Sequence, residues 1–183
     1  MAYKEYKGLD LVGLAAEVLA DWKTSHAFEK SLELREGAPE FIFFEGPPSA
    51  NGMPGIHHVM ARSIKDSICR YKTQSGFKVN RRAGWDTHGL PIELKAMKEI
   101  GVENGAIPPV ELRKHCRDFA MTHVKNQMKQ FKRLGTLGDY DDPYLTLKNE
   151  YEARQIEVFG KMAKDGYMYK GLKPVYWCPD CNT

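Results

Sequence analysis

Residues 45–55 are rich in glycine and proline, and two histidines, His57 and His58, follow closely. Such a loop delivers backbone N–H groups to the start of the next helix, where unpaired amides and the helix dipole favour a phosphate. Either imidazole could donate a hydrogen bond to a phosphate oxygen and steady the charge that builds during phosphoryl or nucleotidyl transfer. A tight connection with two solvated histidines is the alternative interpretation of the same residues.

Asp86 lies in a second glycine-bearing segment, residues 83–91. A carboxylate in a partly closed pocket is a natural partner for the ammonium group of a ligand, because a buried charge must be paired. A turn or capping role is the alternative. Trp85 is expected in the core, whereas His88 and Glu93 could serve as structural polar groups, with Glu93 in the first turn of the next helix.

Cys178 and Cys181 form a Cys-x-x-Cys pair near the end of the chain. Two thiolates are half of a tetrahedral zinc site, which needs two more ligands, so the pair alone is a weak signal. A redox role is disfavoured because no strand-to-helix context of the thioredoxin type surrounds the pair. The remaining cysteines, Cys69 and Cys116, lie in helical patterns and are expected to be small buried hydrophobes.

The elements that must position these residues can be predicted from the pattern of apolar residues. The aromatic and β-branched run 41–44 favours a buried strand, which ends in the loop 45–55. A helical pattern covers 59–71 and is followed by Gly76, a residue suited to a left-handed cap. A second strand is expected at 77–82, before the loop 83–91. In a parallel α/β sheet both loops would leave the carboxyl ends of their strands, where such folds bind ligands.

Three further helices are predicted from three-four spacing of apolar residues. The first follows Asp10, a plausible N-cap, and the second runs from Pro109 to Leu134. The third covers 149–164, with Asn149 as its cap and Gly166 as its stop. The tail 167–177 alternates in a way that favours a strand.

Composition places the chain among ordinary soluble proteins. Hydrophobic residues make up 42% and charged residues 28% of the 183 residues, which excludes disorder and coiled coils, and no apolar stretch reaches the length of a membrane span. The first seven residues lack the apolar core of a secretory signal, so we expect a cytoplasmic protein without a membrane partner. With 27 Lys and Arg against 24 Asp and Glu, the net charge of +3 gives no strong global field for nucleic acid.

Three stretches resemble isoleucyl-tRNA synthetases, which are class I aminoacyl-tRNA synthetases. Residues 44–58 read Phe-Glu-Gly-Pro-Pro-Ser-Ala-Asn-Gly-Met-Pro-Gly-Ile-His-His and resemble the segment that ends in the class I His-Ile-Gly-His signature. Residues 84–93, Gly-Trp-Asp-Thr-His-Gly-Leu-Pro-Ile-Glu, resemble a segment that separates the isoleucine enzymes from their valine and leucine relatives. Residues 173–183 resemble the entry to the family's connective insertion.

The signature itself departs from the family pattern. When His58 is aligned with the last histidine, Gly55 falls at the first histidine and His57 at the glycine, so the sequence reads Gly-Ile-His-His. In the family, the first histidine contacts the ATP phosphates and the glycine lets adenine lie close to the helix. The resemblance therefore leaves two outcomes open, in which the phosphate contact has moved to His57 or has been lost.

The resemblance implies an α/β fold that comprises the first half of a Rossmann-like, parallel-sheet class I catalytic domain with a helical N-terminal extension. The expected domains are an extension at 1–40, the half-domain at 41–170 and the start of the connective editing-domain insertion at 171–183. The implied reaction is activation of isoleucine by ATP to isoleucyl-adenylate and transfer to tRNA(Ile). Magnesium would accompany ATP, structural zinc would bind in the full-length enzyme, and the remainder of the same polypeptide would be needed for activity.

The resemblance also assigns roles to individual residues. Catalytic contacts fall to His58 and His57, and Asp86 is assigned to the ammonium of the amino acid, with Gly46 and Pro47 lining its pocket. ATP binding is implied for the glycines and histidines of the loop and helix start, which are Gly52, Gly55, His57 and His58. Zinc would fall to Cys178 and Cys181. A set of basic residues is expected to form a mostly solvated face and is not assigned to tRNA: Arg62, Lys65, Arg70, Lys72, Arg81 and Arg82.

Two alternatives remain open at this point. The chain could be another class I nucleotidyl transferase with the same loop and histidine chemistry, although Asp86 argues against an enzyme that binds only nucleotides. It could also be a stand-alone nucleotide- or RNA-binding module derived from the family.

Overall fold

The computed structural model describes residues 8–180 and divides the chain into two compact units, which meet in sequence between Leu147 and Lys148. The predicted domain boundaries at residues 40 and 170 remain predictions. Eight helices and strands follow one another in the described residues: α1 Leu11–Thr24, α2 Ala27–Glu33, α3 Ile56–Gln74, β1 Arg82–Trp85, α4 Leu90–Ile100, α5 Pro109–Arg133, β2 Asp139–Leu145 and α6 Asn149–Lys164.

The two named strands form a parallel pair at the centre of the first unit, with α4 and α5 as the crossover between them. Parallel strands require such a crossover, since a short turn cannot bring the chain back to the same end of the sheet. The register pairs Gly84 with Tyr144 and Trp85 with Leu145, and an irregularity separates these pairs from Arg82 and Asp139. β1 and β2 therefore end at the same edge of the sheet.

A third segment, residues 39–50, runs alongside β1 but is not a strand, so the strand predicted at 41–44 is wrong. It pairs only at its ends, through parallel bridges from Glu40 to Lys78 and from Ser49 to Asp86. The two bridges are nine residues apart on the first segment and eight residues apart on the second, so the pairing cannot stay in register between them. Ile42 and Phe44 are 69% and 89% exposed, which also contradicts the predicted burial.

The second strand is displaced from its predicted place. The structure puts β1 at 82–85 rather than 77–82, so residues 83–85 of the predicted loop are strand. A strand with one exposed face shows alternating apolar and polar residues in the sequence. Ala83, Gly84 and Trp85 are all buried, so this strand has no such alternation by which it could be located. The loop that was predicted to face a ligand therefore starts at Asp86.

Helix bounds agree more closely with the sequence. Asp10 caps α1, with its Oδ1 2.9 Å from the Gly13 nitrogen, and α5 and α6 cover the predicted ranges within a residue. The glycines after three helices, Gly76, Gly135 and Gly166, have φ of 96°, 76° and 79°, as left-handed caps require. The predicted cap Asn149 is instead the first helical residue, after Lys148. No strand forms between 167 and 180, so the predicted tail strand is also wrong.

Trp85 is the centre of the hydrophobic core, as predicted, with none of its surface exposed. Its ring packs on Phe131 of α5 and Tyr140 of β2, with centroid separations of 6.4 Å in both cases. Cys69 is buried as predicted, and burial raises the pKa of its thiol, whereas Cys116 is only half-buried. The core fixes the end of β1, and thereby the backbone that carries Asp86.

None of the helices in the described part of the chain combines the length and the apolar character that crossing a bilayer requires.

Gly84→Ala should lower the free energy of unfolding of the chain by about 1–3 kcal/mol, the usual cost of overfilling a packed core. A methyl group at this position would overlap the ring of Tyr144, its partner in the register. Urea unfolding followed by circular dichroism measures the change. Gly160→Ala is the control, because nothing lies within 4 Å of its added carbon, and a helical glycine replaced by alanine should stabilise by about 0.5–1 kcal/mol. Equal stability of the two variants would contradict the packing described here.

Candidate functional site

The glycine- and proline-rich loop is attached to the end of β1 by two backbone hydrogen bonds. The Ala50 nitrogen donates to the Asp86 oxygen at 2.8 Å, and the Asp86 nitrogen donates to the Pro48 oxygen at 2.9 Å. The loop that precedes α3 and the residue that follows β1 are thereby held side by side. Two segments 36 residues apart in sequence, which were assigned separately to phosphate and ammonium, form one edge of the unit.

The Asp86 carboxylate is half-buried at this edge and is oriented by neutral donors. Its Oδ1 accepts from the His88 nitrogen at 3.2 Å, and its Oδ2 lies 3.4 Å from the Ser49 hydroxyl. The first contact is the turn role considered from the sequence. Because a carboxylate has about four lone-pair sites, this role leaves capacity for a ligand's ammonium group.

Thr87, next to Asp86, ties the ends of the two strands together. Its hydroxyl lies 3.0 Å from that of Thr146, and it accepts from the Leu147 nitrogen at 2.9 Å. The Thr87 nitrogen donates to the Thr146 hydroxyl at 2.9 Å. All these groups are buried, so the backbone on the carboxyl side of Asp86 is fixed as firmly as that on its β1 side.

His58 caps the start of α3 with its own side chain. Its Nδ1 accepts a hydrogen bond from the Gly55 nitrogen at 3.0 Å, so in the neutral ring the proton lies on Nε2. Burial lowers the pKa of His58, and the neighbouring His57 and Arg62 lower it further. The ring is therefore neutral near pH 7, with Nε2–H as a donor.

His57 folds back over Gly55. A Cβ added at position 55 would lie 2.9 Å from Cε1 and 3.0 Å from Nδ1 of the His57 ring, and the His57 and His58 ring centroids are 3.9 Å apart. The His57 imidazole thus occupies the space that a side chain at position 55 would need. The glycine and the histidine of this altered signature fit each other sterically.

Charged side chains of α3 contact the Glu45 side chain and the Gly46 backbone. Glu45 pairs with Arg62 at 3.5 Å and with Lys65, and Lys65 Nζ also lies 3.3 Å from the Gly46 oxygen. The Tyr144 hydroxyl donates to the Glu45 oxygen at 2.9 Å. These contacts hold the segment that leads into the proposed pocket residues Gly46 and Pro47.

The predicted solvated basic face is wrong for two of its six residues. Arg62 and Arg81 are 8% and 7% exposed, and Arg81 pairs with Asp66 at 3.1 Å. Asp66 also binds Arg70 and accepts from the Leu137 nitrogen at 3.1 Å. A buried charge needs such partners, and the sequence did not show where they would come from.

Sequence reasoning missed Gln127 and Lys95, which both hold the loop. Gln127 Nε2 donates to the Ser49 and Gly52 oxygens, and Lys95 Nζ donates to the Asn51 oxygen at 2.7 Å. A signal for Gln127 existed: it lies three residues after Val124 and four before Phe131, which places an amide on the apolar face of α5. A polar side chain at such a position requires buried partners.

The proposed ATP and amino-acid residues all lie on the two segments joined at Asp86, which are the loop with the start of α3 and the end of β1. The zinc pair is divided: Cys178 is an exposed residue of the second unit, and Cys181 lies outside the described residues. Within residues 8–180 no three His, Cys, Asp or Glu residues are grouped as a metal site would need.

A cavity of about 840 Å³ lies elsewhere in the first unit. It is lined by residues of α1 and α2, including Trp22 and Phe28, by residues 80–82, and by residues 135–142, which include the start of β2. None of the predicted site residues lines it.

Comparison with known proteins identifies the family. The sequence matches the family of class I tRNA synthetases for isoleucine, leucine, methionine and valine over residues 17–183. The chain belongs to this family. A class I synthetase, LeuRS agnB2 of Agrobacterium radiobacter K84, solved in a ternary complex with tRNA and LeuAMS, has a similar fold, with a TM-score of 0.70 at 22% identity. The match covers 90% of this chain and 19% of that one, and it confirms the class I fold.

Isoleucine–tRNA ligases are close relatives of this class I chain. The enzymes of Thermoanaerobacter pseudethanolicus and Carboxydothermus hydrogenoformans are 53% and 50% identical to it over 167 residues, and that of Moorella thermoacetica is 49% identical. Each match covers 91% of this chain but only 18% of the relative. The chain therefore spans less than a fifth of the length of the enzymes that it matches.

Proposed function

We propose that this chain is the N-terminal part of a cytoplasmic isoleucine–tRNA ligase, in which it binds ATP and isoleucine for the first step of the reaction. The observation that carries the proposal is the pair of hydrogen bonds that joins the loop at Pro48 and Ala50 to Asp86. An ammonium anchor beside a phosphate-binding helix start is what amino-acid activation requires, because the carboxylate must meet the α-phosphate. The identity to isoleucine–tRNA ligases supports isoleucine as the substrate.

In this proposal Asp86 pairs with the α-ammonium group, and Gly46 and Pro47 line the amino-acid pocket. A carboxylate oxygen of isoleucine attacks the α-phosphorus of ATP, the bond to the β-phosphate oxygen breaks, and pyrophosphate leaves. Magnesium enters with ATP and offsets the charge of its phosphates. Gly52 and Gly55 offer backbone contacts to ATP, and Nε2–H of His58 donates to the phosphate as charge develops. A hydroxyl of the terminal adenosine of tRNA(Ile) then attacks the carbonyl carbon of the adenylate, the bond to the phosphate oxygen breaks, and AMP leaves.

The exposed apolar surface of the first unit supports a role for the remainder of the polypeptide. One side of α3 carries a stripe of exposed apolar residues spaced four apart: Ile56, Met60, Ile64 and Ile68, which are 75%, 60%, 59% and 47% exposed. Ile42 and Phe44 extend the exposed apolar surface on the segment beside β1. Surfaces of this kind are normally covered, so the test below uses the full-length protein.

Isoleucine-dependent exchange of pyrophosphate into ATP by the full-length protein tests the proposal. We expect exchange with isoleucine to exceed exchange with leucine by a large factor and exchange with valine by a smaller one, since one methylene is worth only about 1–3 kcal/mol. The 183-residue chain alone should give no exchange. Exchange that ignores isoleucine, or robust exchange by the isolated chain, would contradict the proposal.

Zinc content separates the fragment from the full-length enzyme. Cys178 and Cys181 supply at most two thiolates, so the purified 183-residue chain should hold zinc weakly, and dialysis against a mild chelator should remove it. The full-length enzyme should retain one zinc ion per chain, and Cys178→Ser should lose it. Elemental analysis after gel filtration measures both, and Cys69→Ser, which alters a core cysteine, is the control. One tightly held zinc ion on the monomeric fragment would contradict this expectation.

A further inference from the structure

Gln127 is one of the most deeply buried side chains in the unit, with 1% of its surface exposed. It projects from the middle of α5 into a region that also contains the buried side chains Val124 and Phe131. An amide costs free energy in such surroundings unless its polar atoms are paired. A methionine, which has a similar length and no amide, would avoid that cost at this position. The presence of an amide here is therefore explained by its hydrogen bonds and not by packing.

The oxygen and both N–H groups of the Gln127 amide are hydrogen-bonded. Its Oε1 accepts from the Trp85 indole nitrogen at 3.0 Å, and its Nε2 donates to the Ser49 oxygen at 3.0 Å and to the Gly52 oxygen at 2.8 Å. The orientation of the amide is fixed by chemistry, because an indole N–H can only donate and two carbonyl oxygens can only accept. One side chain therefore joins the loop to β1.

The directions of the Ser49 and Gly52 carbonyl groups also determine where the next N–H groups, those of Ala50 and Met53, point. In a trans peptide the N–H points away from the carbonyl of the same peptide unit. With the Gly52 oxygen drawn toward α5, the Met53 N–H points to the opposite side. Likewise, the Ser49 oxygen faces Gln127 while the Ala50 N–H of the same unit donates to Asp86.

We propose that Gln127 is a positioning residue that couples the ATP loop to the amino-acid strand: it sets the orientation of the peptides at Ser49 and Gly52 relative to Trp85 and Asp86. The inference rests on the proposed function of these two segments. Its consequence is that the placement of the phosphate loop and the placement of the ammonium anchor depend on one buried amide, which itself touches neither substrate.

The test compares three variants of the full-length enzyme in isoleucine-dependent pyrophosphate exchange, with rates normalised to active sites titrated by adenylate formation. Gln127→Met keeps the length of the side chain and removes both donors. Trp85→Phe removes the indole N–H together with part of a buried ring, and it leaves the two bonds from Gln127 to the loop in place. Asn126→Ala removes an exposed amide from the same helix and is the matched control.

Gln127→Met should lower kcat by about 10²-fold, the scale expected when reacting groups are misplaced by about 1 Å, and should raise KM for ATP. Backbone amide hydrogen exchange within residues 49–55 should become faster. Trp85→Phe should have a smaller effect, and it should add little in the Gln127→Met background, because the two residues act through one hydrogen bond. A merely destabilised enzyme would lose active sites but keep kcat per active site and both KM values.

Three outcomes are decisive. If the wild-type enzyme shows no isoleucine-dependent exchange, the proposed function fails before the variants are compared. If the wild type is active and Gln127→Met matches Asn126→Ala in kcat, KM and hydrogen exchange, the coupling role is wrong. If Gln127→Met does not fold, Trp85→Phe decides: unchanged hydrogen exchange in 49–55 and unchanged kcat would overturn the inference, and faster exchange with lower kcat would support it.

Discussion

His58→Ala in the full-length enzyme should lower the rate of isoleucyl-adenylate formation by about 10²–10³, the range that follows loss of one preorganised donor. The Nδ1 of His58 accepts from the Gly55 nitrogen, which fixes the ring and leaves Nε2–H as a donor at the start of α3. The effect should fall on the rate of adenylate formation in single-turnover experiments, with little change in ATP affinity, because the contact strengthens only as charge develops.

Two controls separate the phosphate contact from the cap. His58→Ala also removes the acceptor for the Gly55 nitrogen, and loss of a helix cap costs about 0.5–2 kcal/mol of stability. Asp10→Ala removes the cap of α1, where Asp10 accepts from the Gly13 nitrogen, and should leave the adenylate rate unchanged. His57→Ala should slow the step clearly less than His58→Ala. If His57→Ala were the more damaging variant, the phosphate contact would belong to His57 and the proposed register would be wrong.

Acid should impair this site in a predictable direction. Protonation turns Nδ1 of His58 from an acceptor into a donor, which would face the Gly55 N–H, another donor. Burial, His57 and Arg62 lower the pKa of His58, so the neutral ring persists below the pH at which an ordinary histidine is protonated. The contact should therefore be intact near pH 7 and be lost only as pH falls below the usual histidine range.

Asp86→Asn should raise KM for isoleucine by about 10- to 100-fold, which corresponds to losing roughly 1.5–3 kcal/mol from a charge-assisted hydrogen bond. The amide keeps the shape of the carboxylate, and its oxygen can still accept from the His88 nitrogen, so the turn should survive. What disappears is the negative charge that would pair with the α-ammonium group. ATP affinity should stay close to that of the wild type.

Steady-state pyrophosphate exchange with isoleucine and with ATP as the varied substrate measures this split. Asp141→Asn is the matched control, because the Asp141 side chain is 98% exposed and its ion pair with Lys132 is long, at 3.7 Å. An unchanged KM and turnover for isoleucine in Asp86→Asn would assign Asp86 to the turn alone. A parallel rise in KM for ATP would show that the substitution had displaced the loop through Ser49 and Ala50.

The sequence by itself determined most of the helices and the family, but it gave no sign of α2. The start of α1 and both ends of α5 and α6 were predicted almost to the residue, because Asp10 and the glycines 135 and 166 act on the backbone within a turn of their own positions. The motifs at 44–58 and 84–93 identified class I synthetases because each contains several residues of fixed type at fixed spacing. Trp85 was placed in the core for an equally local reason, since a large apolar ring has few favourable positions elsewhere.

The tertiary structure alone decided where strands form and which polar residues are buried. The position of β1 is set by its pairing with β2, which lies more than 50 residues further along the chain. The segment 39–50 is not a strand, because it pairs with its neighbour only at two isolated bridges. Arg62, Arg81 and Gln127 are buried because partners from distant segments satisfy them. Pairing and burial depend on contacts between residues far apart in the chain, and such contacts are set by packing rather than by the local sequence.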